Sequence, residues 1–356
     1  MTTTLRAGLI GFGSMGFNHA RILCSLPGVS LVAIADPAHA DQPAGGDVGR
    51  RPTAAPGTMP PVPVVASLDD LLALGIDYAV VSSPTSTHLP VGLALAEAGV
   101  HALIEKPVAP SPSEAEALVA AFDRAGLVGA VGHIERFNSA LRAARERLQA
   151  GDLGDLYQVT TRRQSPFPAR IADVGVIMDL ATHDIDITRW LTGQDYRDVA
   201  ARTAYKSGRE HEDLVACLAT LEDGLIASHL VNWLTPVKER VVTIAGEQGS
   251  FIVDLLTSDL TFCENGVVAN EWLEMARFRG VSEGNITRFA ISKPEPLRAE
   301  HETFRDAVLG RSHNIVTLRD GMHAVMVAEA MQRSAASGAT ISIGGTETSA
   351  NSAEEL

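Results

Sequence analysis

The sequence predicts an α/β protein in which an N-terminal Rossmann dinucleotide-binding domain precedes a C-terminal α+β domain with an open, mostly antiparallel sheet. Three observations carry this. An apolar run over residues 5–10 enters Gly11-x-Gly13-x-x-Gly16 and a helical stretch. Strand and helix patterns then alternate as far as residue 132, as in a parallel sheet with crossover helices. Between residues 199 and 263, strand patterns follow one another without a helix, which points to antiparallel pairing.

In the first domain, 1–132, strands are expected over 5–10, 30–35, 78–82, 101–104 and 127–132, and helices over 17–26, 68–74, 89–98 and 113–125. Residues 37–63 break the alternation: seven prolines there preclude a regular crossover helix and predict an irregular loop. The second domain, 133–343, opens with a helical stretch and a strand over 156–163, followed by a helix over 177–191. Strands are expected over 199–205, 214–221, 225–233, 240–245, 250–254 and 260–263, then helices over 296–309 and 318–336. The polar tail, 344–356, is expected to be disordered.

The length of 356 residues suits two domains. The net charge of −14, with no basic block beyond Arg162-Arg163, argues against a nucleic-acid partner. No apolar stretch approaches the roughly 18 residues that span a bilayer, so no membrane partner is expected. Cys24, Cys217 and Cys263 lie far apart without CxxC spacing, which fits a reducing cytoplasm and argues against a metal site.

The loop Gly11, Phe12, Gly13, Ser14, Met15 and Gly16 has the form that cradles a pyrophosphate at a helix N-terminus. Gly11 makes the turn, Gly13 admits the phosphates and Gly16 lets the helix pack close. Asp36 follows 20 residues after Gly16, where a carboxylate accepts both ribose hydroxyls and repels a 2′-phosphate. No arginine follows until Arg50 and Arg51, so the expected cofactor is NAD.

A second constellation lies in DVGVIMDLATHDIDITRWLTG. Asp179, His183 and Asp186 are spaced i, i+4, i+7 and share one helix face. An imidazole oriented by a carboxylate can take a proton from an alcohol, while a solvated acidic face is an equal reading of the pattern alone. Arginine outnumbers lysine 25 to 4, so Lys106 in HALIEKP stands out. The following proline holds it extended at the C-terminal edge of a strand, where ligands bind in such sheets.

In order along the chain, GFGSMG, SSPTSTH, EKP, GHIERFNSA and DLATHDID resemble the motifs of the Gfo/Idh/MocA oxidoreductase family. The resemblance runs from Leu5 to about Ile343. It implies a Rossmann domain followed by an α+β domain whose open sheet mediates oligomerisation, giving a homodimer or homotetramer. It further implies that Lys106 is the active-site lysine, touching substrate and cofactor, with Asp179 and His183 as its catalytic partners. Glu105, Ser83, Pro84, Thr85 and His88 would line the nicotinamide side.

A narrower resemblance, in GHIERFN and RRQSPFPARIADVGV, is to members acting on UDP-linked amino sugars. The chain departs from their pattern at Ser165, Ala169 and Ala172. Arg136, Asn138, Arg163 and Arg170 become expected ligands for sugar hydroxyls and a diphosphate, with structural salt bridges as the alternative for Arg136 and Arg163. The expected reaction is NAD-dependent oxidation of a secondary hydroxyl of a sugar or nucleotide sugar, in amino-sugar or antibiotic-sugar biosynthesis. The hydroxyl proton would pass to Lys106 or His183. A free polyol or inositol dehydrogenase and a non-catalytic NAD-binding regulator are the alternatives.

Overall fold

A computed structural model describes residues 4–39, 61–168, 174–266 and 282–344. The first sheet contains β1 (Leu5–Ile10), β2 (Val29–Ala35), β3 (Val64–Val65), β4 (Tyr78–Val81), β5 (His101–Ile104) and β6 (Gly129–Val131). Its order is β3-β2-β1-β4-β5-β6 and every pairing is parallel. The central strand β4 reads YAVV and is buried at all positions, as a strand covered on both faces must be.

Four helices accompany these strands: α1 (Ser14–Leu23), α2 (Leu68–Ala73), α3 (His88–Glu97) and α4 (Pro112–Ala125). Helix α1 starts three residues before its apolar periodicity does, because the glycine loop itself closes the first turn: Phe17 N donates to Gly13 O at 3.0 Å. Residues 40–60, most of the expected loop, lie outside the described residues; Val64 and Val65 pair with β2 as a short edge.

The chain continues through α5 (Ser139–Gln149), β7 (Leu156–Pro166), a π-helical turn (Ile177–Ala181) and α6 (Thr182–Thr192). Then come β8 (Tyr196–Ala204), β9 (Leu214–Leu221), β10 (Ile226–Asn232), β11 (Leu234–Gly246), β12 (Gly249–Asp254), β13 (Asp259–Gly266) and β14 (Ser282–Arg288). Helices α7 (Pro296–Val308) and α8 (Leu318–Ser337) and the short β15 (Ile341–Ser342) follow. The second sheet runs β14-β13-β12-β11-β7-β10-β9-β8-β15, antiparallel except where β10 lies parallel to β7. The fold class is the α/β arrangement the sequence predicts.

Alternation along the second sheet separates its faces. Val159, Thr161 and Arg163 of β7, His229 and Val231 of β10, and Val242 and Ile244 of β11 are buried, whereas Leu218, Ile226, Ile252 and Ile286 are exposed on the other face. Helix α8 packs on α4 and on β8, joining the two sheets. Its Gly321 lies where a Cβ would crowd Val131 and Val108, so only a residue without a side chain lets the helix come this close. Among the described residues the larger apolar core runs from Ile10 and Ile104 through Val159 and Ile185 to Met331, and a smaller one joins Leu9, Leu23, Tyr78 and Phe304 on the other face of the first sheet.

Candidate active site

The chemistry-bearing residues gather at the C-terminal edge of the first sheet, where the strand order reverses between β1 and β4. Gly11 follows β1 at φ +87°, and a Cβ there would lie 2.6 Å from Ser83 N. Among the described residues nothing lies within 4 Å of a Cβ position on Gly13, so a side chain is what its backbone lacks on the side a phosphate would approach. A Cβ on Gly16 would overlap Gly11 O, so the loop and α1 stay in contact only with glycine there. Phe12 is buried, Ser14 is exposed in the first turn and Met15 is half-buried, with no side chain capping α1.

Asp36 follows β2, with Oδ2 accepting from Phe12 N at 2.7 Å and Oδ1 accepting from Ala38 N at 2.9 Å. Burial opposes its ionisation, yet the Phe12 N–H, the His39 ring and the Ala38 N–H hold the carboxyl below the usual carboxylate range. A fixed carboxylate beside a side-chain-free phosphate loop fits NAD and disfavours a 2′-phosphate. Efficiency with NADP is therefore expected to fall about 100-fold or more below that with NAD, and Asp36→Ala to narrow the gap mainly by losing efficiency with NAD, as steady-state kinetics will measure.

After β4, Ser82 Oγ donates to Gly11 O at 2.9 Å, and Ser83 Oγ lies 2.7 Å from Thr87 Oγ1. Pro84 is exposed and Thr85 half-buried on the rim of this loop. His88, expected on the nicotinamide side, lies beneath the loop after β4. Its ring is buried, with Nε2 3.0 Å from Ser83 O and Nδ1 3.0 Å from Pro107 O, and burial pushes its pKa down. It ties the loop after β4 to the loop after β5.

Glu105 and Lys106 leave β5 side by side. Glu105 points inward, 2.9 Å from His19 Nε2 of α1, and Oε2 accepts from Lys106 N at 3.1 Å. Burial works against its charge, but His19 and Lys106 keep the carboxyl below the usual range. His19 Nδ1 in turn lies 2.8 Å from His301 Nε2 of α7, a line of buried groups that the sequence reading missed because its members stand 86 and 282 residues apart. The Lys106–Pro107 peptide is cis.

Lys106 Nζ donates to Asp179 Oδ1 at 2.8 Å and to Asp179 O at 2.7 Å. Asp179 sits in the π-helical turn before α6. Glu212, also missed, secures that turn: Oε1 accepts from Ile177 N at 3.0 Å and its backbone oxygen accepts from Val176 N at 3.1 Å. Gly175 makes room, since a Cβ there would overlap the Glu212 carboxylate. In sequence Glu212 reads as one more acid in the polar turn between β8 and β9.

His183 is one turn along. Burial, followed by the charges of Lys106 and Arg163, pushes its pKa well down, so the ring is neutral near pH 7. Its Nδ1 is buried without a hydrogen-bond partner among the described residues, and the ring meets His133 edge-on at 6.1 Å. Neither carboxylate of the expected i, i+4, i+7 set orients this imidazole. Asp179 is held by Lys106, and Asp186 accepts from Arg136 Nε at 2.9 Å and Nη2 at 2.6 Å.

Of the expected substrate ligands, Arg136 and Arg163 stand in the salt bridges that were the alternative for them. Arg136 is consumed by Asp186. Asn138 caps α5, accepting from Ala140 N at 3.0 Å and donating to Leu255 O at 3.1 Å and Ser258 Oγ at 3.2 Å. Arg163, the largest fully buried side chain, donates Nε to Asp184 at 3.0 Å and Nη1 to Glu135 at 2.8 Å. Arg170, with Ala169 and Ala172, lies outside the described residues.

A parallel sheet with an NAD-fitting loop and a lysine–aspartate pair beside a neutral histidine defines a dinucleotide-dependent oxidoreductase. Residues 5–133 match the oxidoreductase family with NAD-binding Rossmann fold, and residues 141–252 match the GFO/IDH/MocA C-terminal domain. The chain is 31% identical to the UDP-N-acetylglucosamine 3-dehydrogenase of Acidithiobacillus ferrooxidans over 85% of its length and 88% of that protein's. It is 30% identical to a myo-inositol dehydrogenase of Streptomyces leeuwenhoekii over 94% of this chain and 98% of that one. A crystal structure of the Acidithiobacillus enzyme superposes with a TM-score of 0.76 at 27% identity, covering 93% of this chain and 97% of that chain. The chain belongs to the Gfo/Idh/MocA oxidoreductase family, and its cofactor is NAD.

Proposed function

We propose that the protein is an NAD-dependent dehydrogenase that oxidises a secondary hydroxyl of a nucleotide-linked sugar to a ketone, on an amino-sugar or antibiotic-sugar route. The observation that carries this is the Lys106–Asp179 pair beside neutral His183 at the cofactor edge of the sheet. Bound NAD supplies the hydride acceptor. Lys106 spends two donors on Asp179 and keeps one for the substrate oxygen, stabilising negative charge as it develops there. Neutral His183 accepts the hydroxyl proton while hydride leaves the same carbinol carbon, so the products are ketone, NADH and a protonated imidazole.

The nucleotide handle is supported by the similarity to the UDP-N-acetylglucosamine 3-dehydrogenase. Similarity to inositol dehydrogenases supports a second reading, oxidation of a free polyol. NADH formation across UDP-, GDP- and dTDP-sugars, the matching free sugars and inositols separates the two. Turnover restricted to a nucleotide sugar sustains the first reading, turnover of free inositols the second, and silence with NAD bound overturns both. The exposed apolar side chains on the outer face of the second sheet support a homodimer or homotetramer, which light scattering will count. Among the described residues no helix is long and apolar enough to cross a membrane.

A further inference from the structure

Strands β7 and β11 place Arg163 directly opposite Arg240, both on the face toward α6. Two guanidiniums in register repel unless an anion lies between them. Glu135 Oε1 fills that role unequally, 2.8 Å from Arg163 Nη1 but 3.5 Å from Arg240 Nη1. Asp184 makes its ion pair with Arg163, at 3.0 Å, and none with Arg240 among the described residues. The Arg240 side chain is 32% exposed and has no other ion pair among the described residues, so part of its donor fork faces open space.

Lys238 stands two residues earlier in the same strand, where the pairing with β7 shifts between Leu234 and Glu239. It is exposed and has no ion-pair partner among the described residues. Arg240 is the main influence pushing its pKa down, with Glu135 and Arg163 also felt, which places all four side chains in one neighbourhood. Arg240 also acts on His183 and is acted on by Asp179, so the cluster borders the catalytic groups.

Among the described residues Lys238 thus forms no ion pair, and Arg240 has only a share of Glu135, whose shorter contact is with Arg163. Two cations without a carboxylate of their own are held beside the reacting centre of a chain whose net charge is −14. We propose that Lys238 and Arg240 form the subsite for an anionic group on the sugar substrate, either a phosphate or a carboxylate. Arg240 would present a planar fork to paired oxygens and Lys238 a mobile point charge. The role rests on the dehydrogenase reading above and takes over the one expected of Arg136 and Arg163.

Calorimetric titration of the NAD-saturated protein with UDP, glucuronate and neutral N-acetylglucosamine tests the subsite without turnover. One of the two anions is expected to bind, more weakly as salt rises, and Lys238→Gln and Arg240→Gln are each expected to weaken it about 10-fold or more with NAD affinity unchanged. Binding of UDP alone assigns the group as phosphate, and of glucuronate alone as carboxylate. Wild-type anion affinity in both variants, or no anion binding by the wild type, overturns the proposal. Lys238 is exposed, so loss of binding in Lys238→Gln cannot be ascribed to misfolding. The two readings fail separately. Anion binding that needs Arg240 without turnover of any sugar refutes the dehydrogenase and leaves the subsite. Turnover of a nucleotide sugar with KM unaffected by Arg240→Gln refutes the subsite and leaves the dehydrogenase.

Discussion

Lys106→Ala is expected to lower kcat/KM for sugar oxidation about 1,000-fold while NAD binds within a few-fold of wild type. The separation follows from the geometry. Lys106 Nζ is committed to Asp179 of the π-helical turn, whereas the elements that fit the dinucleotide are the glycine loop after β1 and Asp36 after β2. Removing the ammonium takes away a donor to the developing oxyanion and leaves the Asp179 carboxylate without its cation. The adjoining loop stays anchored by Glu105 on His19 and by Pro107 O on His88. Stopped-flow reduction with saturating NAD, together with NAD titration by fluorescence quenching, measures both quantities. Unchanged turnover would refute the catalytic assignment. Equal loss of NAD affinity would move Lys106 from chemistry to cofactor binding.

His183→Asn supplies the contrast. A proton acceptor lost from neutral imidazole lowers the rate most near neutral pH, whereas a purely structural ring would alter stability first.

The parts of the molecule legible in the sequence are those governed by local rules. Gly11, Gly13 and Gly16 each answer to a steric demand within a single turn, and YAVV, burying every side chain, could only be a central strand. Strand β14 was illegible because SEGNITR has neither alternation nor an apolar face. It forms at an edge where pairing with β13 supplies the order. The partners of the arginines were illegible for a different reason. Residue type fixes what a guanidinium can bind, but not which carboxylate the fold brings to it, and Asp186 reaches Arg136 across 50 residues of chain. Lys238 and Arg240 were passed over because two cations in a β-strand look like an exposed edge until Arg163 is found opposite. Lys106, Asp179 and His183 were legible as a set only through the family resemblance, and Glu212, on which the Asp179 turn depends, was not legible at all.

Arg163→Met is expected to destabilise the protein by about 3–5 kcal/mol, the loss found when one partner of a buried ion pair is removed. The residue is 1% exposed, and its charge is held by Asp184 and Glu135 against the cost of burial. Methionine fills much of the volume but leaves two buried carboxylates facing each other without their shared cation. Either must take up a proton or admit water. Adding Asp184→Asn removes one of the stranded charges, so the double variant is expected to regain part of the loss. Urea melts of wild type, single and double variants measure the coupling. The same variant decides between the two roles open to this residue. A substrate ligand would raise KM and leave the melting curve in place, whereas a structural cation shifts the midpoint and makes activity follow the folded fraction.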